Sequence, residues 1–198
     1  MKRNALIPLL LCLMLSANTL FAEIKLPAIV SSNMVLQRNT EIVIWGWADE
    51  NEKITITTSW TNAAIEVKAD KEGNWETQIM TTNSPEPQTL KLESNDSQIS
   101  LENILFGEVW LCSGQSNMQQ PLKGYNNQPT FNHPLEIANS ENPDLRLFTV
   151  ERKGSKTPLQ DVEEFKGWAK ASPENVLDFS AVAYFFGKHL QEVLDVPV

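Results

Sequence analysis

Two residue types that build many reactive or structural centres are scarce in this chain. Its 198 residues include two cysteines, Cys12 and Cys112, and two histidines, His133 and His189. Cys12 lies in an amino-terminal stretch that reads as a removable targeting segment. The mature chain then keeps one thiol and cannot form an internal disulfide, and a Cys/His zinc site lacks ligands. Long apolar runs are also missing. After residue 22 nothing approaches the roughly 18 consecutive apolar residues of a membrane span. Positive charge is in deficit, with 16 Lys and Arg against 25 Asp and Glu and a net charge of −9. That acidity argues against nucleic acid or an anionic membrane as main partner. An acidic sugar stays admissible, because a local basic group is enough to bind it.

What is present begins with the targeting segment. Lys2 and Arg3 form a short basic region, Ala5 to Leu15 an apolar core, and Ala22 a small residue at a cleavage site. Removal of residues 1–22 takes away two basic residues and no acidic ones, so the net charge moves from −9 to −11. Cys12 sits inside the apolar core rather than after small residues, which disfavours lipidation. The protein is expected to be exported.

From residue 23 to about 104 the pattern is all-β. Short alternating runs recur at Glu41–Trp47, Lys53–Ser59, Ala63–Ala69, Trp75–Ile79, Thr89–Glu93 and Ile99–Leu101. Polar turn clusters such as Asp70–Asn74 separate them, and strands at this spacing predict a β-sandwich. A boundary is expected near Glu102–Phe106. Beyond it, residues 119–144 are rich in Asn, Gln and Pro without periodicity, as in functional or mobile loops. Leu145–Val150 and Phe165–Ala171 read as strands, and Ser180 as the N-cap of a helix to about Leu194. Val182, Phe185, Phe186, Leu190 and Val193 are expected to pack that helix on a sheet.

Residues 107–118 read GEVWLCSGQSNM. The run Val109-Trp110-Leu111-Cys112 predicts a buried strand, with Trp110 and Cys112 inside, broken by a tight turn at Ser113-Gly114-Gln115-Ser116-Asn117. Open α/β folds place reactive groups beyond the strand's carboxyl end. Gly114 permits a sharp turn there. The G-x-S-x-G elbow of α/β-hydrolases is excluded, since Met118 stands where the second glycine belongs.

This block resembles the nucleophile segment of the sialate O-acetylesterase family, within the SGNH-type esterases. Residues 24–47 resemble that family's opening module and Phe179–Leu190 its following helix, so the likeness spans nearly all of the mature chain. It implies a fold of β plus α/β: a signal peptide over 1–22, a β-sandwich over 23–104, and over 105–198 the amino-terminal part of an SGNH-hydrolase-like α/β domain. The residues after Gly107 are too few for a closed doubly wound domain, so the chain reads as part of a longer enzyme. The implied activity is removal of O-acetyl groups from sialic acids, with no cofactor or metal. Acetylated xylan-type polysaccharide is the alternative substrate, and a noncatalytic glycan-binding fragment the alternative class.

Ser116 is the candidate nucleophile. A serine hydroxyl needs a base, an orienting acid and oxyanion donors to attack an ester. Helix capping is its competing role, and Ser113 reads as a turn hydroxyl. The resemblance places the backbone N–H of Ser116 in the oxyanion hole, lets Gln115, Asn117 and Gly114 shape the pocket, and takes the base from a carboxy-terminal Asp-x-x-His motif that this sequence lacks. His189 reads as a packing or solvated helix residue, and His133, in a Pro-flanked loop, as a remote candidate base. The 198-residue chain alone is accordingly expected to be nearly inactive. Trp45 and Trp47 alternate across Gly46 and share one side of a strand. Core packing is the favoured reading for them, and stacking on a sugar ring the alternative. Asn95-Asp96-Ser97 matches a glycosylation acceptor.

Overall fold

The computed structural model describes residues 23–198 apart from Asn62 and Asp96. The targeting segment and the middle residue of the glycosylation acceptor lie outside those residues. Among the described residues, the amino-terminal part forms two sheets. One contains β1 (Val35–Gln37), β3 (Lys53–Thr58), β4 (Ile65–Lys68), β6 (Gln88–Glu93) and β7 (Gln98–Gly107), in the order β1-β7-β6-β3-β4. The other pairs β2 (Glu41–Trp47) with β5 (Asn74–Met80). Neighbours are antiparallel except β1 and β7.

Alternation explains the packing. In β3, Ile54, Ile56 and Thr58 are buried, and in β6 Gln88, Leu90 and Leu92 are buried. Cross-strand register sets Ile56 against Leu92. These side chains meet Ile44, Trp75 and Ile79 of the second sheet in one core. Burying each Ile or Leu of this kind contributes about 1.5–3 kcal/mol relative to exposure. The turn at Asp70–Asn74 has a local cause. The Asp70 carboxylate accepts from the backbone N–H of Glu72 (2.9 Å) and Asn74 (2.8 Å), which frees Gly73 to adopt φ +81°.

The carboxy-terminal part contains α1 (Ser116–Gln119), α2 (His133–Ala138), the antiparallel pair β8 (Asn142–Val150) and β9 (Phe165–Ala171), and α3 (Ala181–Leu194). Its core gathers Leu122, Leu145, Leu147, Ala171, Val176, Ala181, Tyr184 and Val198. Ser180 caps α3, accepting from Ala183 N–H at 3.3 Å. The last residues are tied in by backbone bonds. Val198 N–H donates to Asp144 O (2.9 Å), Arg146 N–H donates to Val198 O (2.8 Å), and Glu108 N–H donates to Pro197 O (2.9 Å). Residues 197–198 thus lie between the end of β7 and the start of β8.

Strand β7 runs on through the expected boundary region, with Ile104, Leu105 and Phe106 buried and the ladder continuing to Gly107. Three sequence expectations change. The run Val109–Cys112 is not a buried strand. Beyond Val109 it makes no backbone hydrogen bond among the described residues as far as Gly114. Leu111 is 91% exposed and Trp110 56%, the Trp110 ring resting edge-on against Phe186. Cys112 is exposed as well. Helix α3 packs through a face that shares only Leu190 with the one expected. Leu190 is partly buried against the core and Ala181, Ala183, Tyr184 and Gly187 are buried, while Val182, Phe185, Phe186 and Val193 are exposed. Small residues permit closer approach to β8 than phenylalanine would: a Cβ on Gly187 would lie 3.0 Å from Leu145 Cδ1.

Polar contacts join the two parts. Trp168 Nε1 donates to Ile29 O (2.7 Å), and the Asp161 carboxylate accepts from Ala28 N–H (3.1 Å). Arg146 is buried at the joint, with Nη1 3.4 Å from Asn33 O, Nη2 3.4 Å from Asn103 Oδ1, and Nε donating to Pro143 O at 2.7 Å. Desolvation pushes its pKa below the usual guanidinium value, with Asp144 opposing the shift.

Candidate active site

The turn after residue 112 leads directly into α1, so Ser116 is the first helical residue and Gln115 the N-cap. No side chain caps this helix, which removes capping as the role of the Ser116 hydroxyl. Ser116 is exposed, and its hydroxyl and backbone N–H make no hydrogen bond among the described residues. Gln115, Asn117 and Ser113 are exposed alongside it. Gly114 does not adopt a left-handed conformation. Its requirement is space, because a Cβ there would sit 3.1 Å from Met118 Cβ.

The short helix is held from several directions. Ala181 N–H donates to Gln120 O (2.8 Å), and Leu122 N–H to Phe179 O (2.9 Å), which locks the segment after α1 to the start of α3. Ser180 Oγ lies 3.2 Å from Met118 Sδ. The Asn/Gln/Pro-rich segment supplies further anchors. Tyr125 Oη donates to Gln119 O (2.9 Å), and Gln120 Nε2 donates to Gln128 O (2.9 Å). That segment also holds α2, tied to α3 by the Lys188–Glu136 ion pair at 2.8 Å. Tyrosine and glutamine hydrogen bonds thus position the Ser116 turn.

No hydrogen bond joins either histidine to Ser116. His189 is exposed on α3, and His133 opens α2 with its Nδ1 buried and unpartnered. Among the described residues, no cluster of three His, Cys, Asp or Glu side chains could hold a metal ion. Two ionisable groups flank the turn on its amino-terminal side. Glu108 accepts from Gln37 Nε2 (2.9 Å) and Arg38 Nε (3.0 Å), and these contacts, Gln37 foremost, hold its carboxyl below the usual range. Desolvation raises the Cys112 thiol although one side of the residue is exposed.

The pattern of residues did not point to Arg152. With the Gln119 amide oxygen turned toward it, Gln119 accepts from Arg152 Nε and Nη1, each at 3.2 Å. Gln119 lies three residues after Ser116, so this contact sets the connection between β8 and β9 beside α1. Nothing local marks an exposed loop arginine in an aperiodic stretch. Trp45 and Trp47 do share a face, as alternation requires, opposite the buried Ile44. Trp45 is partly buried against the core and also borders residues of the β8–β9 connection, and Trp47 Nε1 donates to Gln160 Oε1 at 3.3 Å.

The arrangement offers a solvent-facing serine on an anchored turn, next to a held arginine. Comparison with known proteins gives it a family context. Its curated homologues are sialate O-acetylesterases. Those of Pongo abelii and Homo sapiens are each 28% identical over 187 aligned residues, covering 85% of this chain and 34% of theirs. The chain therefore spans about a third of the length of these relatives. A carbohydrate acetylesterase from Xanthomonas citri has a similar structure, with a TM-score of 0.81 and 30% identity over 88% of this chain and 38% of that one. The sheet-rich architecture with few helices is thus similar to that of a carbohydrate acetylesterase. No protein-family model matches the chain.

Proposed function

We propose that the protein is an exported carbohydrate O-acetylesterase that removes O-acetyl groups from sialic acids, with Ser116 as nucleophile. In this reading the paired sheets are a β-sandwich module and residues after Gly107 belong to an SGNH-like hydrolase domain. One observation carries it: a chain whose curated homologues are sialate O-acetylesterases presents an exposed, unbonded serine hydroxyl on an anchored turn.

In this reaction Ser116 Oγ attacks the acetyl carbonyl carbon and loses its proton to a base. The tetrahedral oxyanion is stabilised by N–H donors including that of Ser116. The sugar oxygen leaves with a proton, and water then releases acetate from the acetyl-serine. Gln115, Asn117 and Gly114 shape the acyl pocket. Arg152 supports an anionic substrate, being a cation beside α1 without a carboxylate partner among the described residues. Because neither histidine is hydrogen-bonded to Ser116, residues 23–198 alone are expected to turn over roughly 10⁴–10⁶-fold below a complete triad.

The test is acetate release from O-acetylated sialic acid and from acetylated xylan, using a form extended past residue 198, with Ser116→Ala beside it. Hydrolysis of the sialate ester that disappears in Ser116→Ala supports the reading. A folded extended form that cleaves no acetyl ester, or a Ser116→Ala variant that stays active, refutes it.

A further inference from the structure

Trp45 and the connection between β8 and β9 line a half-open cavity of about 350 Å³. We infer that this cavity is a binding subsite for one uncharged pyranose ring of a glycan, placed beside the Ser116 turn. The inference deepens the esterase reading and rests on it for the ligand class.

The walls specify the occupant. Trp45 and Phe148 supply apolar ring surface from the two parts of the chain, and Phe148 is fixed by stacking on Phe165 with centroids 5.6 Å apart and planes 8° apart. Aromatic surface of this kind covers the C–H faces of a sugar. The polar rim is rich in acceptors that suit sugar hydroxyls, among them Glu151 and Gln160. Gln160 is itself positioned by the indole N–H of Trp47.

Charge decides the class. Among the described residues, Glu151, Asp161, Glu163 and Glu164 line the cavity against a single cation, Lys153, which is already paired with Glu163 and Glu164. An anionic sugar would enter a net negative, half-open recess whose one cation is engaged, whereas a neutral one meets no such penalty. The volume lies at the small end of ligand pockets, roughly 300–1,000 Å³, and suits one ring rather than a long oligosaccharide.

Location links the cavity to the reaction. Glu151 and Lys153 line it, while Arg152 between them contacts Gln119 on the helix of Ser116. A glycan with its acetylated unit at Ser116 would extend along this connection toward the Trp45 surface, with a neutral unit in the cavity. Such a unit could be the carrier sugar of a sialylated glycan or a backbone unit of a plant polysaccharide.

The experiment is an NMR titration of the ¹⁵N-labelled 198-residue chain with methyl β-galactoside, xylobiose and N-acetylneuraminic acid, following the indole N–H signals of Trp45 and Trp47. At least one neutral probe should shift both signals, and the one preferred identifies the source. Trp45→Leu, which keeps apolar volume, should weaken binding about tenfold, as should Gln160→Ala. Gln160→Ala alone decides the matter if Trp45→Leu misfolds. N-acetylneuraminic acid should move these signals at least about tenfold more weakly. Silence of both indoles toward both neutral probes overturns the subsite, as does binding indifferent to Gln160→Ala. Equal response to the acidic sugar overturns its selectivity. Acetate release by the extended form is scored separately, so failure of the esterase reading and failure of the cavity remain distinguishable.

Discussion

Gly107 ends β7 where residues 197–198 cross it, and Gly107→Ala tests how this joint is held. A Cβ at position 107 would lie 1.9 Å from Pro197 O and 2.6 Å from Pro197 C, and a backbone carbonyl cannot swing aside as a flexible side chain can. The crossing segment must move. Its displacement breaks the bonds Glu108 N–H to Pro197 O, Val198 N–H to Asp144 O and Arg146 N–H to Val198 O. At about 0.5–1.5 kcal/mol each, the loss is roughly 1.5–4.5 kcal/mol. Reduced freedom of the unfolded chain returns about 0.4–1 kcal/mol. A net cost of about 2 kcal/mol should remain, lowering Tm by roughly 4–8 °C for a chain of this size. Hydrogen exchange localises the effect, since the amides of Glu108, Arg146 and Val198 should lose protection while β3 and β6 keep theirs. A chain lacking residues 196–198 is the control. In it, Gly107→Ala should cost under about 0.5 kcal/mol, because its steric partner is gone. Retained protection in the single variant, or an equal cost in both backgrounds, would refute the steric argument.

Other outcomes follow from the same geometry. Leu111→Asp should change stability by less than about 0.5 kcal/mol in chemical unfolding, since the side chain is almost fully exposed; a loss above roughly 2 kcal/mol would show burial instead. Glu108 has a lowered folded pKa, so its stabilisation is present above the ordinary carboxylate range and fades as pH falls through the folded value. Glu108→Gln should therefore flatten the acid-side decline in Tm, and a profile parallel to wild type would contradict the pairing with Gln37 and Arg38. Cys112 should be alkylated in the native protein, but slowly at neutral pH and faster in alkali, because its thiol is raised. Protection until denaturation would contradict its exposure.

Elements with a strong periodic signal are legible in the amino-acid order alone. Strand β9 has the bounds expected, and α3 begins after its serine cap. Period 2 in β3 and β6 shows directly as buried alternate residues. Helix α2 and strand β1 escape such a reading because six and three residues carry no resolvable period. The Val109–Cys112 run misleads for another reason: apolar character does not create a ladder partner, and among the described residues none reaches it. The face of α3 is only partly legible when hydrophobicity is weighed without volume: Leu190 packs on the core, but Gly187 sets how closely the helix approaches Leu145, and the larger Phe185 and Phe186 face outward. In the candidate site, the position of Ser116 is marked by its local block, whereas Arg152 depends on a contact across 33 positions that no local pattern encodes.

Arg146 has a consequence for anyone recombining these parts. Its guanidinium is lodged among oxygens supplied by Asn33 and Asn103 on one side and Pro143 on its own. Both asparagines adopt left-handed backbone conformations, φ 68° and 56°, that few other residues accept. A graft of foreign sheets onto the carboxy-terminal part would strand a buried cation unless it brought both residues in the same conformation. The amino-terminal unit is therefore not a freely interchangeable cassette, and a viable chimaera must transplant Asn33 and Asn103 with Arg146 as one inherited set.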